Sequence, residues 1–532
     1  MAETLPALLD DLARRHGART ALWYGDMSMS FAELAEQSRR VAGGLARLGI
    51  GPGDRVAIWL PNGPAWLALL FALGRRGATA FAVNTRFRHR EMADILGRGR
   101  VRALALWPGF RGLGFLDILA ACDPAVLAGV DTVILYDEGE AASALPASLA
   151  HARTVRWADL SGQPEERTIA ADAGTGAATF TTSGTTSAPK FVLHHHRSLV
   201  AHAPDSGRAL GFDEAGAATL QALPFCGIFG FAQAMASLAA GAPMAILPAF
   251  DEAEAVAAVA RHGLTASNAT DDMLERMLAA DPACDRLASL RRCGFAAFKA
   301  ADRGDLVRAY DRFGTRLVGL FGMSEVQALY AVQPSDAPAE RRVMGGGRLV
   351  SARAHVRIRA AEGDALLPDG EAGLIEAAGP SLMAEYLDDP RATSAALTPD
   401  GYLRTGDIGR REPDGSLVYL TRAGDVLRLS GFLVSPREIE AFLEDDPAVE
   451  RAQVVAGDGP DGPRAVGFVT LKPGAELDTA TLTARARAAL ARYKVPALII
   501  PVDAFPTTES ANGIKIQRAR LRQEATRRLA AG

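Results

Sequence analysis

This chain of 532 residues has little cysteine and little lysine. Its four cysteines, Cys122, Cys226, Cys284 and Cys293, stand far apart. They form no C-x-x-C pair and have no histidine at zinc spacing, which excludes a disulfide framework or a thiolate metal cluster and reads as reduced thiols in a cytoplasmic protein. An excess of one charge is missing too: 58 Lys and Arg stand against 62 Asp and Glu, a net charge of −4. No basic stripe is present to displace counterions, so nucleic acid is excluded as a main partner. The N-terminus carries Glu3, Asp10 and Asp11 where a secretory leader would be basic and then apolar, and no export signal is expected. The longest uncharged run, Ala215 to Phe250, exceeds the roughly 20 residues that span a bilayer. Pro224, Gly227, Gly230, Gly241 and Pro243 cut it into strand, turn, helix and strand lengths, so a buried soluble segment with no membrane partner is expected.

Hydrophobic residues at 48% and charged residues at 23% are those of a globular protein. The length corresponds to about three to four units of roughly 150 residues. Ser30 and Glu33 have capping-box spacing ahead of an amphipathic stretch that runs to about Leu48, with Gly49 placed to end it. Val56 to Leu60 reads as a buried strand, Ala65 to Leu73 as a helix and Thr79 to Val83 as another strand. The pattern recurs around Thr219 to Pro224, Met244 to Ala249 and Arg316 to Leu320. Such alternation predicts mostly parallel sheets covered by helices. From about Gly345 short strands with Gly, Pro and Asp turns, such as Val356 to Ile358 and Leu417 to Tyr419, predict a β-rich subdomain. After Arg422, helices at Pro436 to Leu443 and Thr481 to Arg492 and strands at Gln453 to Val455 and Val466 to Leu471 predict a compact α+β unit.

The segment Thr179-Phe-Thr-Thr-Ser-Gly-Thr-Thr-Ser-Ala-Pro-Lys190 leads from a strand end into hydroxyls around Gly184 and closes on a lysine. Hydroxyls and backbone N–H groups surround phosphate oxygens, glycine permits close approach, and the lysine supplies charge. A plain hydroxyl-rich surface loop is the alternative; the segment is not G-x-x-x-x-G-K-[ST], because no second Gly precedes Lys190 and Phe191 follows it. Lysine usage favours the phosphate reading. Only Lys190, Lys299, Lys472, Lys494 and Lys515 occur among the 58 basic residues, and a chain so rich in arginine keeps lysine mainly where a compact, flexible ammonium is needed. Lys190 and Lys515 stand out on that ground, whereas Lys299 and Lys472 read as leftovers. His194-His195-His196 lies on an extended segment whose side chains alternate in direction, which disfavours a shared metal ion. The basic amphipathic stretch Ile516 to Ala530 reads as a solvated terminal helix rather than a lipid contact.

Taken in order, these motifs resemble the adenylate-forming superfamily, which includes acyl-CoA synthetases, nonribosomal-peptide adenylation domains and firefly luciferase. Thr182 to Lys190 is similar to its phosphate loop, Phe321-Gly-Met-Ser-Glu325 to its Tyr-Gly-x-Thr-Glu, and Tyr402-Leu-Arg-Thr-Gly-Asp407 to its ribose motif. Leu429 to Glu440 resembles the start of its C-terminal domain, Tyr493-Lys-Val-Pro496 a later signature, and Lys515 to Arg522 the segment bearing its catalytic lysine. The resemblance covers nearly the whole chain. It implies a large N-terminal adenylation domain (1–421), a hinge (422–426) and a small mobile C-terminal domain (427–532). It also implies ATP-dependent activation of a carboxylic acid to acyl-AMP, release of pyrophosphate, and transfer of the acyl group to CoA. Thr182, Ser183, Gly184, Thr185, Thr186 and Lys190 would hold the phosphates, with Thr185 and Lys190 also acting on the reacting groups. Glu325 would help hold Mg²⁺, and Phe321 would stack on adenine with Gly322, Met323 and Ser324 beside it. Asp407 and Arg422 would take the ribose. Lys515 would touch both the carboxylate and the α-phosphate, acting by position and charge. His196, Phe225, Cys226, Gly227, Phe229, Gly230, Ala296 and Ala297 would line the acid site, and Gly431 the CoA tunnel.

Three departures bear on substrate and mechanism. Many relatives place a His or aromatic residue at the Gly227 position; a glycine there, beside Cys226, implies a wider pocket and a bulky or long-chain apolar acid. No Asp stands between Leu223 and Phe231 to pair an amino acid's ammonium. The hinge residue is Gly424, and Glu509 to Gly513 lengthens the loop before Lys515. The resulting expectation is an AMP-forming acyl-CoA synthetase. Two rivals remain: an adenylating enzyme that hands its product to an acyl carrier protein or a separate partner enzyme, and a catalytically silent nucleotide- or acyl-binding regulator.

Overall fold

Polar side chains that cap free N–H groups set where several helices begin. In the computed structural model Ser30 and Glu33 form the expected reciprocal box at the start of the helix Phe31–Arg47. Asp478 accepts from the N–H groups of Ala480 and Thr481, so the helix expected from Thr481 starts earlier and spans Thr479–Ala489. The structure describes residues 2–137, 144–182, 189–296, 303–423, 427–429, 432–434, 436–459, 462–490, 492–510 and 513–531.

Two large sheets carry the chain up to Arg422. The first orders the strands Glu385–Tyr386, Phe191–His195, Gly176–Thr181, Thr79–Ala82, Arg55–Trp59, Ala103–Leu106, Thr132–Leu135 and Arg153–Arg156. It is parallel from Gly176–Thr181 onward, and the Phe191–His195 and Glu385–Tyr386 strands close it in antiparallel fashion. At the centre of the second sheet Arg316–Phe321, Arg292–Ala296, Ala266–Thr270, Thr219–Gln221 and Met244–Ile246 run parallel. The helices Pro64–Arg76, His196–Ala209 and Ile228–Ala240 lie between the sheets, and one apolar core joins them to strands of both. Their near-continuous burial follows from being covered on all sides, which is why the uncharged run from Ala215 to Phe250 belongs inside the protein. Among the described residues no helix is long and apolar enough to cross a membrane.

The short strands after Gly345 continue the second sheet. Ala331–Val332 and Gly346–Leu349 link Arg316–Phe321 to an antiparallel limb of Leu417–Arg422, Leu403–Arg411, Gly373–Ala378 and His355–Arg359. This limb has its own apolar core around Tyr330, Ile358, Ile375 and Tyr386. Beyond residue 426 the chain forms further cores on the strands Val449–Gly459, Gly462–Leu471 and Leu498–Pro501. There the buried Glu440 carboxylate accepts from the Val454 N–H at 3.0 Å and from Arg518 at 2.8 Å, tying the terminal helix Arg518–Ala531 to the rest. The stretch from Glu509, read from sequence as a longer loop, mostly forms a hairpin of Thr507–Ser510 with Gly513–Ile516.

Candidate active site

The strands Gly176–Thr181 and Phe191–His195 pin the two ends of the hydroxyl loop. The Thr182 N–H donates to the Lys190 carbonyl at 3.0 Å, and the Lys190 N–H donates to Thr182 Oγ1 at 3.2 Å. Ser183, Gly184, Thr185 and Thr186 lie outside the described residues, as do Ala297, Gly424 and Gly431. Leaving this neck, Lys190 lays its ammonium over the ring of Tyr386, 4.4 Å from the centroid, an arrangement in which the ring's negative face attracts the cation. The Tyr386 hydroxyl donates to Glu325 Oε1 at 2.7 Å. Burial, then the Glu325 charge beside it, pushes the phenol pKa up, so Tyr386 stays a donor.

Glu325 is held from two sides. Its carbonyl accepts from the Met383 N–H at 2.7 Å, and the Glu385–Tyr386 strand that follows pairs with Phe191–His195 just beyond Lys190. Lys190 and Glu325 are thus joined through one tyrosine. Among the described residues the hydrogen bond to the Glu325 carboxylate is the one from Tyr386, and it goes to Oε1. The other carboxylate oxygen suits Mg²⁺, which keeps several waters and takes only one or two protein carboxylates beside phosphates.

Phe321 ends its strand with its ring tilted against Tyr419 at 5.7 Å. Gly322 is exposed, and Met323 and Ser324 are half-buried. Asp407 and Arg422 are direct partners across neighbouring strands, and Arg422 donates to Asp407 Oδ1 at 2.8 Å. Although burial opposes its charge, Asp407 and Glu325 keep the Arg422 guanidinium above the ordinary arginine pKa. The structure therefore brings Lys190, at the start of one strand of the first sheet, and Glu325, Asp407 and Arg422, on or just beyond strands of the second, into one charged neighbourhood.

The three histidines separate. His194 is buried in the Phe191–His195 strand, its Nε2 2.8 Å from the Ser324 carbonyl. That contact requires Nε2–H as donor, so His194 braces the segment preceding Glu325. His196 begins the next helix and does not join this group: its Nδ1 accepts from the Leu5 N–H at 3.2 Å, and its buried ring lies against Gly74. The resemblance assigned it to the acid site; the strand-to-helix change at residue 196 turns it inward. Tyr386 and His194 are the contributors that sequence motifs missed.

Burial lowers the pKa of His194, His196 and His202 to about 4 each. Unfolded histidine titrates near 6.5, so the unfolded chain binds more protons between about 4 and 6.5. The stabilisation is complete above about pH 6.5 and is lost as pH falls, by up to about 1.4 kcal/mol per pH unit for each histidine. Urea midpoints should drop steeply from pH 7 to pH 5, and His202→Leu should flatten that slope; a pH-independent midpoint would contradict it.

The acid-site residues fall into two groups. Phe225 packs on Trp66 at 5.3 Å in the inter-sheet core, and Cys226 beside it is buried, its thiol pushed up to about 12 by burial. Gly227 caps the helix Ile228–Ala240, and Phe229 turns into the neighbouring core with Ala296 at its margin. Gly230 is dictated by packing: a Cβ there would stand 2.3 Å from the Pro224 carbonyl oxygen. The turn itself hangs on Asn62, which donates to the Leu223 and Leu247 carbonyls and accepts from the Phe225 N–H at 2.6 Å. Leaving buried partners unpaired costs about 1–3 kcal/mol each, so Asn62→Ala should lower unfolding free energy by at least about 2 kcal/mol in denaturant titration. A loss below about 0.5 kcal/mol would mean the turn is held otherwise. Lys515 lies in the Gly513–Ile516 strand, its backbone opposite Thr508. Whether its amine meets the hydroxyl loop falls outside the described residues.

The family model for AMP-binding enzymes matches residues 9–387, and that for the AMP-binding enzyme C-terminal domain matches residues 438–512. Triostin synthetase I of Streptomyces triostinicus is 30% identical, over 96% of this chain and 92% of its own length. Sulfoacetate–CoA ligase of Cupriavidus necator is 31% identical over 98% of this chain and 100% of its own. Among solved structures, ATP-bound MatB from Rhodopseudomonas palustris matches with a TM-score of 0.84 at 24% identity, covering 99% of this chain and 100% of that one.

Proposed function

We propose, from the premise that this chain belongs to the family of AMP-binding enzymes, that it is an AMP-forming acid–thiol ligase that makes an acyl-CoA. In the first half-reaction an acid carboxylate attacks the α-phosphorus of ATP, the bond to the β-phosphate oxygen breaks, and pyrophosphate leaves. In the second, the CoA thiolate attacks the acyl carbon of the mixed anhydride and AMP leaves. The observation that carries this reading is the chain from Lys190 through Tyr386 to Glu325, beside the Asp407–Arg422 pair.

Two anions must meet, so catalysis here is charge control and positioning. Lys190 swings from the Tyr386 ring to the β- and γ-phosphates once these offer a stronger counter-charge. Asp407 accepts from the ribose hydroxyls while Arg422 holds it in place, and Phe321 supplies the adenine face. Glu325 would hold Mg²⁺, which neutralises charge on the departing pyrophosphate; Tyr386 and the brace from His194 fix the direction of that carboxylate. Lys515 brings its ammonium to the carboxylate and α-phosphate, and Thr185 donates to a phosphate oxygen. Separate apolar cores before residue 422 and after residue 426 support a division into 1–421, a hinge at 422–426 and a C-terminal domain at 427–532 that turns between the half-reactions.

Named CoA ligases among the relatives favour CoA as acceptor; similarity to triostin synthetase I keeps a carrier protein as the second reading. Thiol consumption settles the choice. With an accepted acid, CoA should be consumed one for one with AMP formed, and full turnover without CoA would support the carrier reading.

A further inference from the structure

The proposed mechanism leaves unused a group of amides on the inner face of the second sheet. Asn268, in the middle of the strand Ala266–Thr270, is fully buried, and among the described residues neither its side-chain oxygen nor its side-chain nitrogen has a partner. Its backbone N–H donates to Gln233 Oε1 at 2.7 Å, and Gln233 Nε2 donates to the Leu220 carbonyl. Gln221 donates to the Leu223 and Gly230 carbonyls, while its Oε1 is also buried without a partner among the described residues. Directly across from Asn268 lies Gly294, where a Cβ would stand 2.2 Å from Asn268 Oδ1 and 3.0 Å from Leu320 Cδ1. Glycine in the interior of this strand makes room for the amide.

These groups border the residues assigned to the acid. Ala296 is two residues beyond Gly294 and shares its face. Phe229 and Gly230 lie one helical turn before Gln233, on the same side. A pocket meant for hydrocarbon alone would gain from leucine or valine here, because an amide buried with both ends unpaired is destabilising by about 1–3 kcal/mol per group. With respect to the described residues, Asn268 and Gln221 between them offer one free donor atom, Asn268 Nδ2, and two free acceptors, Asn268 Oδ1 and Gln221 Oε1. A carbonyl would satisfy the donor and leave both oxygens orphaned, whereas a hydroxyl both gives and takes.

Resting on the acid-activating function proposed above, we infer that Asn268, with Gln221, is the specificity determinant for a hydroxyl on the otherwise apolar body of the acid. The substrate class is thus a hydroxylated apolar acid. The hydroxyl donates to one orphaned oxygen and accepts from Asn268 Nδ2, while the carboxylate lies at the nucleotide.

The test is pyrophosphate release by the full chain with straight-chain and aromatic acids in matched pairs, with and without a hydroxyl at successive positions. For at least one pair the hydroxylated acid should be preferred at least about tenfold in kcat/KM, since a site built to hydrogen-bond a hydroxyl rejects the analogue lacking it. Asn268→Leu should bring that ratio to near one, mainly through KM. Normal turnover of plain acids with no preference for any hydroxylated partner overturns the inference and leaves the proposed function standing. A variant that keeps the wild-type ratio also overturns it. Release with none of the acids defeats the proposed function as well. The wild-type ratio decides the matter even if the variant does not fold.

Discussion

Lys515→Ala is expected to lower acid-dependent pyrophosphate release by about two to three orders of magnitude, the usual effect of removing a charge aimed at a transition state. Transfer from supplied acyl-AMP to CoA should be nearly unchanged, because the second half-reaction forms no bond at the α-phosphate. Lys515 sits on a hairpin whose following helix is fixed by the Arg518–Glu440 pair. That attachment makes the Lys515 backbone part of the C-terminal unit, the one proposed above to turn between the half-reactions. Comparing the two half-reactions separately isolates the lysine's action. Equal loss of both would show that Lys515 acts through folding or domain placement, and the role assigned to it would be wrong.

Glu325→Gln is expected to reduce pyrophosphate release by about 10²-fold and to raise the Mg²⁺ concentration needed for half-maximal rate. The substitution keeps the shape of the side chain and an oxygen to accept the 2.7 Å hydrogen bond from Tyr386, so the local fold survives. What it removes is the negative charge of the carboxylate, the one feature that a hard dication requires. Thermal unfolding should therefore barely move while the Mg²⁺ dependence shifts. A variant with wild-type Mg²⁺ dependence would place the metal elsewhere, and one that unfolds would make Glu325 a structural residue.

The parts of the fold written in short-range pattern were legible in the sequence. The helix Phe31–Arg47 announced itself through Ser30 and Glu33, and the division of the uncharged run followed from its prolines and glycines. The antiparallel limb was legible as strands but not as part of the second sheet, because the link runs through the two-residue strand Ala331–Val332, too short to show a period. The candidate site shows the same division. Lys190, Glu325, Asp407 and Arg422 are marked by local motifs, and the structure assembles them. Tyr386 is not: it reaches Glu325 only because the Glu385–Tyr386 strand pairs with Phe191–His195, a contact between segments far apart in the chain. Neighbouring histidines also part company in a way no composition reveals. His194 ends up under Ser324 and His196 against Gly74, since the strand stops and the helix starts between them. Asn268 carries no motif, and its setting depends on the strand register that puts Gly294 opposite it.

The most direct test of the whole account is exchange of labelled pyrophosphate into ATP, run with and without carboxylic acids in the absence of any thiol acceptor. The account predicts exchange that requires both Mg²⁺ and an acid. Tight ATP binding with no exchange for any acid would contradict it, and would leave a nucleotide-binding protein that performs no adenylation.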